Sequence, residues 1–167
     1  SLEDVLTGAG TAVSLLWRAH CRVCLACAGL SAGEVEELAW LLRAFPLQDD
    51  EWPHFPAERM VYLAGRVDLT QMAAALAMLD SAAVVCRQDS LEFRAEGLPL
   101  RLETSLGEVV LLGPGNDSYS GAPLLLLDLG GNDSLTLAPR GPLSVGLVLD
   151  RGGDDCWLSG DSLYAGF

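Results

Sequence analysis

The hydrophobic pattern of the first half of the chain predicts helices. Between Leu2 and about Ala28 the apolar residues recur at helical spacing. A second helix begins at Ser31, because Glu34 follows three residues later and completes a capping box. Two more apolar periods predict helices at residues 57–65 and 68–86, and the second starts near Asp68, with Gln71 at the capping-box spacing. One stripe of the first helix is predicted to carry Val13, Leu16, Trp17, His20, Cys24 and Cys27.

From residue 89 onward the pattern changes to that of strands. Apolar and polar residues alternate over 91–95 and 98–103, and a short apolar run covers 108–112. Apolar runs of four or five residues then alternate with turns rich in glycine and acid up to the last residue. The chain is therefore predicted to be an α+β protein, with a helical domain at 1–88 and a β-rich repeat domain at 89–167.

The glycine-acid turns form an internal repeat. They lie at 113–119, 129–135 and 151–157, and are called here the first, second and third turns. Their aspartates Asp117, Asp133 and Asp155 are separated by 16 and then 22 residues, about the length of one coil of a β-solenoid. A single coil is unstable without its neighbours, so the pattern predicts a short parallel β-solenoid. Because its last segment is apolar, we expect a partner chain or a continuation of the same chain to cover it.

The composition of the turns suits a hard cation. Glycine permits sharp turns that aim carbonyl oxygens inward, and the aspartate that follows supplies an anionic oxygen. Calcium prefers six to eight such oxygen ligands at about 2.3–2.6 Å. The same residues also form good turns with no metal at all, because Asn and Asp side chains bond their own backbone. Both interpretations remain open from the residues alone.

The first turn carries a family resemblance. Gly113-Pro114-Gly115-Asn116-Asp117-Ser118-Tyr119-Ser120-Gly121 resembles the Gly-x-Gly-Asn-Asp-x-Leu-x-Gly core of hemolysin-type (RTX) calcium-binding repeats. The resemblance covers about residues 111–160 and implies a parallel β-roll with Ca²⁺ between its coils. It also implies the ligands Asp117, Asp133, Asp155, Asn116, Asn132 and Asp154. The turn glycines are then Gly113, Gly115, Gly130, Gly131, Gly152 and Gly153. The pattern is equally similar to bacterial solenoids with repeated Asp-x-Gly-Gly-Asp-Asp-x-Tyr turns, which imply no metal.

Charge narrows the range of partners. Arginine supplies all ten basic residues against 23 acidic ones, for a formal net charge of −13. Nucleic acid is therefore not expected as a partner.

No run of 18 apolar residues occurs, so no transmembrane segment is expected. A calcium-stabilised repeat would belong to a bacterial surface or secreted protein, whereas the odd count of five cysteines leaves the cytoplasm open.

Two enzyme-like patterns are weaker alternatives. His20, Cys21, Cys24 and Cys27 have spacings that a thiolate metal site could use, although core cysteines are more common. Gly160-Asp161-Ser162-Leu163 spells the name motif of GDSL-type esterases, but no histidine follows residue 54 to serve as its base. We therefore expect a non-enzymatic structural or binding module. The alternatives are a metal-independent assembly protein that pairs through its open edge and, less favoured, a thiolate-metal or hydrolytic enzyme.

Overall fold

The computed structural model describes residues 2–44, 56–87 and 97–159, which form four helices and two small, mostly parallel sheets. The α+β class and the four helices are confirmed. Two predicted features lie outside the described residues: the strand at 91–95 and the apolar last segment at 160–167. The helices are α1 (Leu2–Ala26), α2 (Ala32–Ala44), α3 (Ala57–Ala64) and α4 (Leu69–Arg87). The strands are β1 (Leu100–Thr104), β2 (Gly107–Leu111), β3 (Ser118–Gly121), β4 (Leu125–Asp128), β5 (Ser134–Leu137), β6 (Leu147–Asp150) and β7 (Cys156–Ser159).

Two helices begin where their capping residues predicted. The backbone N–H of Ser31 donates to Glu34 Oε2 at 2.9 Å, and the N–H of Glu34 donates back to Ser31 Oγ at 3.3 Å. Asp68 Oδ1 accepts the N–H groups of Thr70 and Gln71 at 2.9 and 3.2 Å. These bonds satisfy N–H groups that have no partner inside the helix, so the starts of α2 and α4 are local properties of the sequence.

The buried face of α1 differs from the predicted stripe. Leu16 and Cys27 are buried as expected, but Trp17 is 45% exposed. Most of the buried positions of α1 are instead alanines: Ala9, Ala12, Ala19 and Ala26. Ala9, Ala12 and Ala19 share a core cluster with Ala75 and Ala82 of α4. Small side chains let two helices approach closely, which a pattern weighted toward large apolar residues does not reveal.

The strands alternate between the two sheets along the chain. One sheet has the order β1-β2-β4-β6, in which only β1 is antiparallel to its neighbour, and the other has the order β3-β5-β7, all parallel. Equivalent residues of successive repeats are paired, as in the row Tyr119, Leu135 and Trp157. The repeat read from the sequence therefore sets the register of both sheets.

The two sheets differ in which faces are buried. Inner residues such as Val110 and Leu126 of the first sheet pack against Tyr119 and Leu135 of the second. The other face of the first sheet, including Leu125, packs against α1 and α4. Strands buried on both faces read as continuous apolar runs, and β4 with its preceding Leu124 is such a run. In β5 a serine and a threonine alternate with two leucines, because the outer face of its sheet meets solvent.

The longer second repeat contains a loop, residues 138–146, that joins the strands to the helices. His20 Nδ1 donates to the Leu143 carbonyl at 2.9 Å, and Val145 is buried in the core formed with α1. Arg140 donates to the carbonyls of Ala122 at 2.9 Å and Leu106 at 3.0 Å. The extra residues of this repeat therefore hold the sheets against α1.

Helix α4 is, among the described residues, long and apolar enough to cross a membrane by length and composition alone. Its most apolar window is 17% buried. Its buried residues Ala75, Ala82 and Cys86 pack in the core that α1 and the first sheet share.

Candidate functional site at the glycine-acid turns

The aspartates of the three turns form a hydrogen-bonded column. The backbone N–H of Asp117 donates to Asp133 Oδ1 at 2.5 Å, and the N–H of Asp133 donates to Asp155 Oδ1 at 2.7 Å. The partners are 16 and 22 residues apart, the two repeat lengths. Each of these side chains therefore ties its own turn to the preceding one.

A second column runs in the opposite direction beside the first. The N–H of Asn132 donates to Asn116 Oδ1 at 3.0 Å, and the N–H of Asp154 donates to Asn132 Oδ1 at 2.9 Å. The structure thus brings together all six residues that the resemblance assigns to calcium. It also commits an oxygen of Asn116, Asn132, Asp133 and Asp155 to backbone N–H groups, so each has less capacity to bind an ion.

The glycines of the second and third turns permit this close stacking, and those of the first turn do not share their geometry. Positive φ angles occur at Gly130, Gly131, Gly152 and Gly153. A methyl group on Gly131 would overlap the carbonyl oxygen of Gly115, and one on Gly153 would overlap that of Gly131. Gly113 and Gly115 have no positive φ, and nothing lies within 4 Å of a methyl group on Gly115.

Two further aspartates complete the site. Asp128 and Asp150 end β4 and β6, and their Oδ1 atoms accept the N–H groups of Gly130 at 3.1 Å and Gly152 at 2.7 Å. Asp128 is fully buried and Asp133 is 2% exposed. Neither Asp128 nor Asp150 was predicted from the sequence as a site residue. The pattern that could have indicated them is an aspartate at the end of each apolar run, five residues before the aspartate of the turn.

The remaining carboxylate oxygens of this cluster lack partners. Asp128 Oδ2, Asp133 Oδ2 and Asp155 Oδ2 are buried and have no hydrogen-bond donor among the described residues. One oxygen from each of Asp128, Asp150 and Asp155 lies within 4.8 Å of the others. Ionised carboxylates have no proton to give one another, so such a cluster requires a proton or a cation to offset the cost of burial.

The same crowding changes the acidity of the cluster. Burial, followed by the neighbouring carboxyl of Asp133, raises the pKa of Asp128 to about 7. Burial and the neighbouring Asp155 carboxyl raise the pKa of Asp150 as well. Both shifts mean that Asp128 and Asp150 bind a proton more tightly in the folded protein than in the unfolded chain.

A small cleft of about 30 Å³ lies beside the cluster. It is lined by the end of α4 and by the ends of β4 and β6, including Asp128 and Asp150. A water molecule needs about 10–15 Å³ in this measure, so the cleft has room for an ion or a water but not for an organic substrate. Arg87 and Arg151 also line it, and Arg151 Nη2 donates to the Arg87 carbonyl at 3.4 Å.

The second candidate site consists of His20, Cys21 and Cys24 of α1 and of Cys27, which follows α1. His20 Nε2 lies 3.6 Å from Cys24 Sγ, while Nδ1 holds the Leu143 carbonyl. Cys27 is buried, and burial raises the pKa of its thiol. His20 also lines a surface cleft of about 210 Å³ beside Trp17 and Arg140. These contacts favour packing over metal binding for His20, Cys21, Cys24 and Cys27.

The esterase-like pattern acquires no catalytic arrangement among the described residues. The N–H groups of Asn132 and Asp133, and the Oδ1 atom of each side chain, form hydrogen bonds within the stacked turns. Ser162 and His54 lie outside the part of the chain that the structure describes.

Comparison with known proteins identifies no family for this chain. A scan against protein-family models and searches of curated proteins and of solved structures found no match for this chain. The resemblance to RTX repeats therefore stays a prediction from the residues.

Proposed function

We propose that this chain is a non-enzymatic structural module in which a short parallel β-solenoid is stacked on a helical unit. The observation that carries the proposal is the pair of opposed hydrogen-bond columns through the turns. Side chains that repeat at coil spacing and accept a backbone N–H of a neighbouring coil serve stacking, because each commits one oxygen to holding that coil in register. The chain would then belong to a larger bacterial surface or secreted assembly.

Removing one acceptor from the column tests this proposal. Asp133→Ala leaves the part-buried N–H of Asp117 without its partner, and we expect a loss of about 1–3 kcal/mol in the free energy of unfolding. Asp133→Asn keeps an oxygen in place and should lose much less. Both variants are compared with the wild type by urea unfolding in EGTA, so that no bound ion contributes. Equal stability of Asp133→Ala and the wild type would contradict a stacking role.

A second candidate function is an assembly module that pairs through its last coil. Within the described part of the chain, strands β6 and β7 are the last strands of their sheets. In the inner row of the second sheet, Tyr119 and Leu135 are 2% and 0% exposed, whereas Trp157 is 42% exposed. The proposed occupant of this end is a strand of another copy of the chain, which would add to the sheets and cover Trp157.

Sedimentation velocity over a range of concentrations tests this pairing. We expect the wild type to self-associate and Trp157→Arg to remain monomeric, because the arginine would place a charge in the row that the second copy must bury. Leu158→Arg is the matched control, since residue 158 is on the same strand but points to the opposite face. A wild type that stays monomeric throughout would contradict the assembly role.

A further inference from the structure

We infer that the chain has one Ca²⁺ site, built by Asp128, Asp150 and Asp155 between the second and third turns, with Asp133 beside it. This site rests on the stacked turns of the proposed function. It differs from the ligand set that the RTX resemblance implies, because Asp128 and Asp150 stand where that repeat has its leading glycine.

The side chains are placed for an ion. Asp128 and Asp155 each use Oδ1 to accept a backbone N–H, and each keeps a buried Oδ2 with no donor among the described residues. Asp150 brings a third carboxylate within 4.8 Å of both. Since Asp128 is fully buried, water does not offset the charge of its free oxygen, and a cation held by the three carboxylates would.

The first pair of turns lacks the same arrangement. The position equivalent to Asp128 and Asp150 is Leu112, which is 1% exposed and packs in the core between the sheets. The second oxygen of Asp117 accepts the N–H of Gly113 at 2.8 Å. Among the residues that the structure describes, the site therefore forms once, and the expected stoichiometry is one ion.

The ligand chemistry favours calcium over other common ions. All the candidate ligand atoms are carboxylate oxygens, which suit hard cations, and no thiol or imidazole belongs to the ligand set. The carboxylates are attached to turns whose backbone is already fixed by the two columns, so their geometry is set by stacking and not by the ion. Calcium tolerates irregular coordination, whereas magnesium requires a near-ideal octahedron.

Calorimetric titration of the whole chain with CaCl₂, after removal of bound metal with EGTA and at neutral pH, tests the site. We expect one Ca²⁺ per chain, in the weak range of about 10⁻⁴–10⁻³ M, and a rise in melting temperature with calcium. Asp128→Asn should weaken binding about tenfold or more. It should still fold, because its amide oxygen can accept the Gly130 N–H. MgCl₂ should bind more weakly than CaCl₂.

Asp117→Asn is the matched control. It removes the same charge from the turn that lacks the site, and it should bind calcium as the wild type does. The inference is overturned if the wild type shows neither heat nor a change in melting temperature up to about 10 mM calcium. It is also overturned if Asp117→Asn weakens binding as much as Asp128→Asn, or if more than one ion binds. The Asp133→Ala experiment is performed in EGTA, so it can support the stacked turns even where the calcium titration fails.

Discussion

Replacing Gly131 with alanine is expected to cause the largest loss of stability of any single methyl addition in the second turn. Gly131 has a φ of +136°, a conformation that L residues rarely adopt, and its added methyl would overlap the Gly115 carbonyl oxygen. Such a conformation costs about 1–3 kcal/mol, and forcing the two turns apart adds about 1–3 kcal/mol. The melting temperature should fall by roughly 10 °C for a chain of this size.

Two other glycines separate the causes of this loss. Gly115 occupies the equivalent position in the first turn, where nothing lies within 4 Å of an added methyl group and φ is not positive. Gly115→Ala should therefore leave the melting temperature almost unchanged. Gly152→Ala has a φ of +144° but open space, and it should show the conformational cost alone. Thermal unfolding by circular dichroism measures all three variants. If Gly115→Ala and Gly131→Ala are equally stable, the turns are not stacked as described.

The metal-free protein is expected to lose stability as the pH rises from about 4 to about 8. The pKa of Asp128 is about 7 in the folded state, against an ordinary value of 3.8. The folded state therefore binds this proton more tightly than the unfolded chain. Its contribution is fully present below 3.8 and is lost as the pH rises through about 7. At about 1.4 kcal/mol for each pH unit, the loss is about 4 kcal/mol.

The charges around Asp128 act in a defined direction. The carboxyl groups of Asp133 and Asp150 favour its protonated form, and a carboxylate oxygen of Asp155 lies within 4.8 Å. Arg87 and Arg151 line the adjacent cleft. Asp128→Asn removes the titrating group and keeps an acceptor for Gly130. In EGTA above about pH 7 this variant should therefore be more stable than the wild type, and its stability should vary less with pH.

Urea unfolding at a series of pH values measures this difference, with Asp117→Asn as the control for the loss of one negative charge. Asp117→Asn should keep most of the wild-type slope. A wild type whose stability rises between about pH 4 and about pH 8, or an Asp128→Asn variant with an unchanged slope, would contradict a buried proton at this position.

Some elements followed directly from short-range patterns in the sequence. The capping residues at Ser31 and Asp68 predicted the starts of α2 and α4, because their hydrogen bonds close within three residues. The spacing of Asp117, Asp133 and Asp155 predicted which residues would lie side by side. It did so because parallel pairing aligns equivalent positions of a repeat.

Other features could not be predicted in this way. The exposure of Trp17 and the burial of alanines on α1 depend on where α4 packs, which no local spacing encodes. In the sequence, Asp128 and Asp150 each end an apolar run, which is typical of the polar end of a strand. Their place in one cluster with Asp155 results from pairing across a 22-residue repeat, with the loop at 138–146 held on α1 by His20.

The sequence by itself therefore determined the order of helices and strands, the repeat and its register, because each depends on residues a few positions apart or on equivalent positions of the repeat. The tertiary structure alone decided which oxygens remain free. Hydrogen bonds between the stacked turns occupy Oδ1 of Asp133 and Asp155, and N–H groups just after the strand ends occupy Oδ1 of Asp128 and Asp150. What is left over, a buried set of carboxylate oxygens, depends on how three separate stretches of chain pack together.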